Sequence, residues 1–260
     1  HLAAVVGSQV PEAVWWRVNR DGTQIVLQAA LDAGVRAMVQ VSSLSVLGNT
    51  EPGETADESH LPDPSMYRNL YQKTKRAADD LAREYACLGL RVAIVYPGFG
   101  YGHSWASSHP SLQDQTLLRM AAGKPAAVFG SGKNRLCLSY YKDTVAGICL
   151  ALKKGRPGED YLLGGENLTF PEIWTGVAGV LGKRPPQRRI PISVLKLLSS
   201  TGKLLTGRGI FPNDFFDMVG LNWCYSSAKA THELGWQATP FREGIADTWQ
   251  SYQAAGWKTS

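Results

Sequence analysis

The stretch Leu88-Gly89-Leu90-Arg91-Val92-Ala93-Ile94-Val95-Tyr96-Pro97-Gly98 decides the fold. Arg91–Tyr96 is an apolar run without alternation, the pattern of a strand covered on both faces, and Pro97-Gly98 stops it. Upstream, residues 66–88 have the periodicity of a long amphipathic helix ending at Leu88-Gly89-Leu90. Residues 36–42 (Arg-Ala-Met-Val-Gln-Val-Ser) form a second β-rich run. Residues 11–33 place Val14, Trp15, Val18, Val26, Ala29 and Ala30 at helical spacing, with Gly34 just past the helix end. Helices and strands alternating at this interval predict an α/β fold with a parallel sheet. The opening His1-Leu-Ala-Ala-Val-Val-Gly7 reads as the last part of another buried strand. It is too short and unflanked for a signal peptide, so the sequence is expected to be a fragment without its natural N-terminus.

Beyond residue 103 the rhythm loosens. The pattern predicts a helix over 112–122 and strands at 126–129 and 136–141. A helix over 143–154 follows, capped by Asp143 and ended at Gly155. Next come a strand at 160–164, a helix over 171–181 capped by Thr169, and a Pro/Arg linker at 183–191. The last third reads as mostly helical, with a short strand near 223–225 and a final amphipathic helix over 240–255. The expected division is a sheet core, 1–110 with about 137–166 returning to it, and a smaller helix-rich lobe, 111–136 and 167–260.

Composition narrows the classes. The chain has 260 residues, 44% of them apolar and 19% charged, which excludes collagen-like, disordered and coiled-coil chains. No run approaches the roughly 18 apolar residues of a membrane span. The richest apolar stretch, Val194–Leu205, is broken by Lys196, Ser199, Ser200, Thr201, Gly202 and Lys203. Cys87, Cys137, Cys149 and Cys224 are scattered, which predicts buried free thiols rather than a disulfide or metal framework. The net charge is +5, and its densest cluster is Lys183, Arg184, Arg188 and Arg189. No recognition module accompanies the charge, so nucleic acid is not the expected partner.

The chemistry concentrates at Tyr71-Gln-Lys-Thr-Lys75. A Tyr and a Lys at i and i+4 share one helix face. A phenol has a free pKa of about 10, and a cation one turn away favours the phenolate and lowers it. Such a phenol exchanges a proton with a carbonyl oxygen. The spacing alone is weak, because Tyr225-Ser-Ser-Ala-Lys229 matches it too. Context separates the two. Tyr71 follows a strand ending in Ser42-Ser43, at the carboxyl end where open α/β sheets bind ligands. The alternative for Tyr71 is a packing tyrosine with a surface lysine. Tyr67 and Lys73 read as surface or substrate-edge residues.

Other motifs carry less. Gly98-Phe-Gly100-Tyr-Gly102 has His103 where a third phosphate-loop glycine would stand, and Gly130-Ser-Gly132-Lys133 is incomplete. Both read as turns, although the first borders the expected ligand edge. His103 and His109 share a loop and read as surface or ligand-contact residues. His232 has no second histidine near it. Trp15, Trp16, Trp223 and Trp236 read as packing anchors. Asp57, Glu58 and Asp63 read as a solvated loop, with gating or substrate contact as the alternative.

Ser43, Tyr71 and Lys75 in this order resemble the extended short-chain dehydrogenase/reductases, the NAD-dependent epimerase/dehydratase superfamily. The resemblance runs almost from residue 1 to residue 255. His1-Leu-Ala-Ala4 is similar to the family's fourth strand, Asn19-x-x-Gly22-Thr23 to the next helix, and Ser42-Ser43-x-x-x-x-Gly48 to its serine segment. Tyr96-Pro97-Gly98-x-x-Tyr101-Gly102 is similar to the loop beside the nicotinamide. Trp223-x-Tyr225-x-Ser-x-Lys229-Ala230 with Glu233-Leu-Gly235-Trp236 resembles the C-terminal lobe, which makes the second Tyr-x-x-x-Lys structural.

The resemblance implies a Rossmann-like doubly wound parallel sheet lacking its first βαβ units, with a helix-rich substrate lobe. Its glycine-rich first turn is expected upstream of His1, while His103 departs from the family's usual proline. It implies catalytic Ser43, Tyr71 and Lys75, and NAD or NADP bordered by Ala3, Ala4, Ser42, Tyr71, Lys75, Pro97 and Gly98. No metal is implied. The expected partners are a small-molecule substrate and, through helices 11–33 and 66–88, a second copy as a homodimer. The cytoplasm is the default location. Two branches compete: reductases of apolar carbonyls, similar to dihydroflavonol 4-reductases and farnesol dehydrogenases, and nucleotide-sugar epimerases or dehydratases. Arg135-Leu-Cys-Leu-Ser-Tyr-Tyr-Lys142-Asp143 lacks the Asp-Phe of the second branch. Val46-Leu-Gly48, Ala56-Asp-Glu58, Tyr161–Thr169, the 194–205 stretch, Phe211, Phe215 and Phe216 favour the first. A non-catalytic nucleotide-binding or scaffold protein is the third reading.

Overall fold

In the computed structural model the described residues are 1–6, 10–103, 112–124, 127–197, 199, 216 and 219–257. The apolar run of the opening stretch is β2 (Val92–Pro97), the middle strand of a parallel sheet. On one side lies β1 (Met38–Val41), with Met38 opposite Val92. On the other lies β6 (Asp160–Leu163), with Ile94 opposite Asp160. Val92, Ile94 and Tyr96 face Leu81, Ala82 and Tyr85 of α3 (Leu70–Cys87). Ala93 and Val95 face Ala151 of α5 (Tyr141–Lys154), together with Leu234 and Trp236. Cover on both faces explains the missing alternation. The His1 amino group donates to Val39 O at 2.7 Å, and Val41 N–H donates to His1 O at 3.0 Å. These bonds flank Gln40 in the parallel pattern, so the N-terminal segment extends the sheet.

The upstream helix is continuous from α1 (Glu12–Trp15) through a π-helical turn (Trp16–Asp21) into α2 (Gly22–Asp32). Its π turn points Asn19 inward, where it accepts from Val5 N–H at 2.7 Å and donates to Thr74 Oγ at 3.0 Å. Helix α3 starts at Leu70, later than the periodicity predicts. Asn69 caps it by accepting from Gln72 N–H at 2.9 Å, while Pro64–Met66 forms a separate 3-10 turn.

A second sheet is built from β3 (Phe99–Tyr101), which runs parallel to β5 (Arg135–Tyr140), with β7 (Asn167–Thr169) antiparallel on the far edge. The turn reading of Gly98–Gly102 therefore fails: Gly100 lies within β3, and a Cβ there would collide with the Tyr141 ring. Helix α4 spans Leu112–Ala121. β4 (Val128–Phe129) pairs in parallel with β8 (Arg189–Ile190), so the end of the expected linker is a short strand. Helix α6 (Phe170–Leu181) opens on a capping box of Thr169 and Glu172, as its sequence predicts. Asp143 is not a cap but lies in the first turn of α5, where its carboxylate accepts from Thr239 N–H and Thr239 Oγ–H at 2.7 and 2.9 Å. The final helix, α7, spans Phe241–Ala254.

The segment 222–225 makes single bridges to Thr50, Ala56 and Leu136, stitching the loop after β1 to the second sheet. Glu58, read from the sequence as a solvated residue, is buried and accepts from Leu162 N–H at 2.7 Å. Cys137 and Cys224 are buried free thiols, whereas Cys87 and Cys149 are exposed. His109, Phe211, Phe215 and most of 194–205 lie outside the described residues. Among the described residues, no helix is long and apolar enough to cross a membrane. Glu58→Ala leaves a buried Leu162 N–H unpaired and is expected to cost about 1–3 kcal/mol in urea unfolding. An unchanged midpoint would show that the loop is not tied to β6 in this way.

Candidate active site

The site is assembled where the parallel strands end. β1 delivers Ser42 and Ser43. Ser43 is extended, with φ −155° and ψ 140°, and its hydroxyl accepts from Ser45 N–H at 3.3 Å as it starts the turn Leu44–Leu47. Helix α3 lays Tyr71 over this turn, bringing its phenol close enough to the Ser43 hydroxyl for that hydroxyl to favour the ionised phenol. Trp15, expected only to anchor packing, meets the Tyr71 ring edge-on at 6.2 Å between centroids. One turn further along α3, Lys75 is 3% exposed and donates from Nζ to Val41 O at 2.6 Å. Another turn on, Asp79 is fully buried and accepts from Ser42 Oγ–H at 2.6 Å. The three sequence-predicted residues thus converge, and Asp79 joins them.

Burial dominates the electrostatics. It raises the Tyr71 phenol above its ordinary value; the Asp79 carboxylate adds to that rise and the Ser43 hydroxyl opposes it. Lys75 is pulled below its ordinary value by burial, against the pull of Asp79. The expected lowering of the phenol by Lys75 is therefore not met here, since the ammonium rests on the Val41 carbonyl and desolvation outweighs it. Asp79 is pushed up to about 7 by burial, opposed by the Ser42 bond and by the charges of Lys75 and Arg83.

The expected cofactor-side residues share this edge. Ala3 and Ala4 lie just beyond the pairing of His1 with β1; Ala3 is exposed and Ala4 partly so. Pro97 ends β2 opposite Leu163, and Gly98 N–H donates to Leu163 O at 3.4 Å. Gly98 is required by close approach, because a Cβ there would stand 2.6 Å from Cys137 O. Small residues thus occupy three neighbouring strand ends. His103 packs its ring edge-on against Tyr252 of α7, at 4.5 Å.

Several residues have other roles than their sequence reading suggests. Tyr67 is buried and donates to Val46 O at 3.0 Å, so it is neither surface nor substrate edge. Tyr225 donates to Gly48 O at 2.6 Å and Lys229 to Glu159 at 2.7 Å, which makes the second Tyr-x-x-x-Lys a structural clasp. A Gly-x-x-Gly-x-x-Gly spacing occurs at Gly176, Gly179 and Gly182, but it lies along α6 and its end rather than between a strand and a helix. Asp79 escaped the sequence reading, although its i+4 spacing from Lys75 signals a shared face.

The raised carboxyl of Asp79 makes a signed prediction. The folded state holds this proton where the unfolded chain, with an ordinary value of 3.8, has lost it. The contribution is complete below 3.8 and is lost as pH rises through about 7. Asp79→Asn keeps the site neutral, so its stability relative to the parent should increase between pH 5 and 8 in urea unfolding. A difference independent of pH would refute the assignment.

Comparison with known proteins places this geometry. The profile of the NAD dependent epimerase/dehydratase family matches residues 1–164. A Synechocystis sp. protein named after dihydroflavonol 4-reductase is 27% identical over 250 residues, covering 93% of this chain and 71% of that protein. A 3beta-hydroxysteroid-dehydrogenase/decarboxylase isoform of Arabidopsis thaliana is 26% identical over 272 residues, and the chain spans 61% of its length. The crystal structure of a DesIV double mutant, the dTDP-glucose 4,6-dehydratase of Streptomyces venezuelae, contains NAD. It is 25% identical, with a TM-score of 0.72 over 97% of this chain and 73% of that one. With the family profile covering more than half of its residues, the chain belongs to the NAD dependent epimerase/dehydratase family.

Proposed function

We propose that the protein is an NAD(P)-dependent oxidoreductase that interconverts a small, rather apolar alcohol and its carbonyl through Ser43, Tyr71 and Lys75. The observation that carries this reading is the convergence of Ser43, at the end of β1, with Tyr71 and Lys75 of α3, Lys75 being held on Val41 O of the same strand end. The residues fit the nicotinamide end of a dinucleotide. Ala3, Ala4, Pro97 and Gly98 leave the edge free of bulky side chains. Among the described residues Lys75 spends one N–H on Val41 O, leaving two for ribose hydroxyls. When bound, the nicotinamide supplies or takes the hydride.

The protein's own part is the proton. Burial keeps the Tyr71 phenol protonated at neutral pH, the state a proton donor to a carbonyl oxygen requires. Ser43, beside the phenol, donates its hydroxyl proton to that same oxygen and aligns it for the transfer. The Lys75 ammonium offsets the negative charge left on the Tyr71 oxygen. In the reverse direction Tyr71 takes the alcohol proton back. The apolar substrate class is supported by the names of the two curated relatives, a flavonoid and a steroid enzyme. The likeness to a dTDP-glucose 4,6-dehydratase supports a second reading, a nucleotide-sugar epimerase or dehydratase using the same three residues.

Tyr71→Phe is expected to lower turnover by about 10²–10⁴-fold while NADH binding persists. Turnover near that of the parent would overturn the assignment of Tyr71 as the proton donor.

A further inference from the structure

Tyr71, Lys75, Asp79 and Arg83 recur every four residues along one face of α3, packed against the sheet. The proposed function uses the first two. Arg83 is already committed, donating to Tyr96 Oη at 2.9 Å, Asp160 Oδ2 at 2.8 Å and Asp80 Oδ1 at 3.3 Å. Asp79 is not satisfied in this way. Its Oδ2 accepts from Ser42, but among the described residues nothing bonds its Oδ1. Gln40, two residues before Ser42 and therefore on the same face of β1, is 1% exposed, and neither of its amide atoms has a partner there. A half-satisfied buried carboxyl costs free energy that an apolar residue would not. The cation left to offset it is Lys75, whose one bond among the described residues is to a neutral carbonyl.

We propose that Asp79 is a positioning residue for the catalytic pair, the buried counter-charge that keeps the proton on Lys75 and, through the same field, on Tyr71. This rests on the catalytic reading of Tyr71 and Lys75. The groups facing Asp79 are Ser42 just past β1, Tyr96 from β2, Tyr67 from the segment before α3, and Tyr71, Lys75, Asp80 and Arg83 from α3, with Gln40 on the same face as Ser42. Asp160 of β6 lies beyond Arg83, and the His1 amino group faces Lys75 from the N-terminal segment. The carboxylate acts in one direction on both members of the pair, raising Lys75 and raising Tyr71. Its loss therefore makes either group give up its proton at lower pH, whichever limits the reaction.

Two measurements test this. In the first, the Asp79 carboxyl carbon is followed by NMR in the aspartate-labelled chain and identified by its absence in Asp79→Asn. Lys75→Met is expected to raise the Asp79 midpoint by about one pH unit, because a nearby cation has been removed. An unmoved midpoint overturns the proposal, and this readout does not need turnover. In the second, Asp79→Asn is expected to move the alkaline limb of kcat, in the reductive direction, at least one unit lower, with KM little changed. A limb that stays in place, with only a uniform loss of activity, marks a merely structural acid and overturns the proposal. Full turnover in Tyr71→Phe would instead sink the catalytic reading while leaving the Asp79–Lys75 coupling measurable.

Discussion

The hydrogen bond from Ser42 Oγ to the buried carboxylate of Asp79, 2.6 Å long, fixes how α3 sits on the end of β1. A helix packed only by apolar contacts can rotate or slide by a fraction of a turn at small cost, whereas a buried charge-assisted bond has one geometry. From that point the segment 67–79 is pinned to residues 41–46 by successive bonds. Lys75 reaches Val41 O, Gln72 Nε2 reaches Ser45 O at 2.9 Å, and Tyr67 reaches Val46 O. Tyr71 sits within this series, so its contact with Ser43 follows from the register and not from the phenol's own packing. The site is in effect one seam between a strand end and a helix.

The rest of the structure holds that seam from both sides. The π-helical turn presents Asn19 to Val5 and Thr74, joining the N-terminal segment to the far side of α3. Trp15, one residue before that turn, limits the Tyr71 ring. On the other side Glu58 fastens the long loop to β6, and the segment 222–225 fastens it to β5. Tyr225 then closes on Gly48, at the end of the Ser43 turn. A loop of polar composition is thereby tied to both sheets.

The sheet was legible because burial on both faces leaves a direct mark: Val92–Tyr96 is apolar without alternation, residues 36–42 are β-rich, and both are parallel strands. Ser43, Tyr71 and Lys75 were legible because helical spacing and strand-end position are local properties. The Thr169 cap was legible for the same reason. What escaped depends on contacts distant in sequence. Glu58 looks like loop solvent cover until Leu162, more than a hundred positions away, offers its N–H. Gly100 looks like a turn glycine until β5 arrives beside it. Asp79 carries a local signal, but its importance comes from burial, which spacing does not report. The same burial reverses the expected shift of Tyr71, because an i+4 cation lowers a phenol only where water does not already favour the charge more than the protein does.

The central claim is that this seam moves a proton to the oxygen of an apolar carbonyl while a nicotinamide exchanges its hydride. Nicotinamide absorbance at 340 nm, followed with NADH or NADPH, tests it most directly, using hydrophobic ketones alongside UDP- and dTDP-sugars. The account predicts saturable, stoichiometric consumption of the reduced nicotinamide with an apolar ketone. Conversion of a nucleotide sugar with no net change in nicotinamide, and no consumption with any apolar ketone, would contradict it.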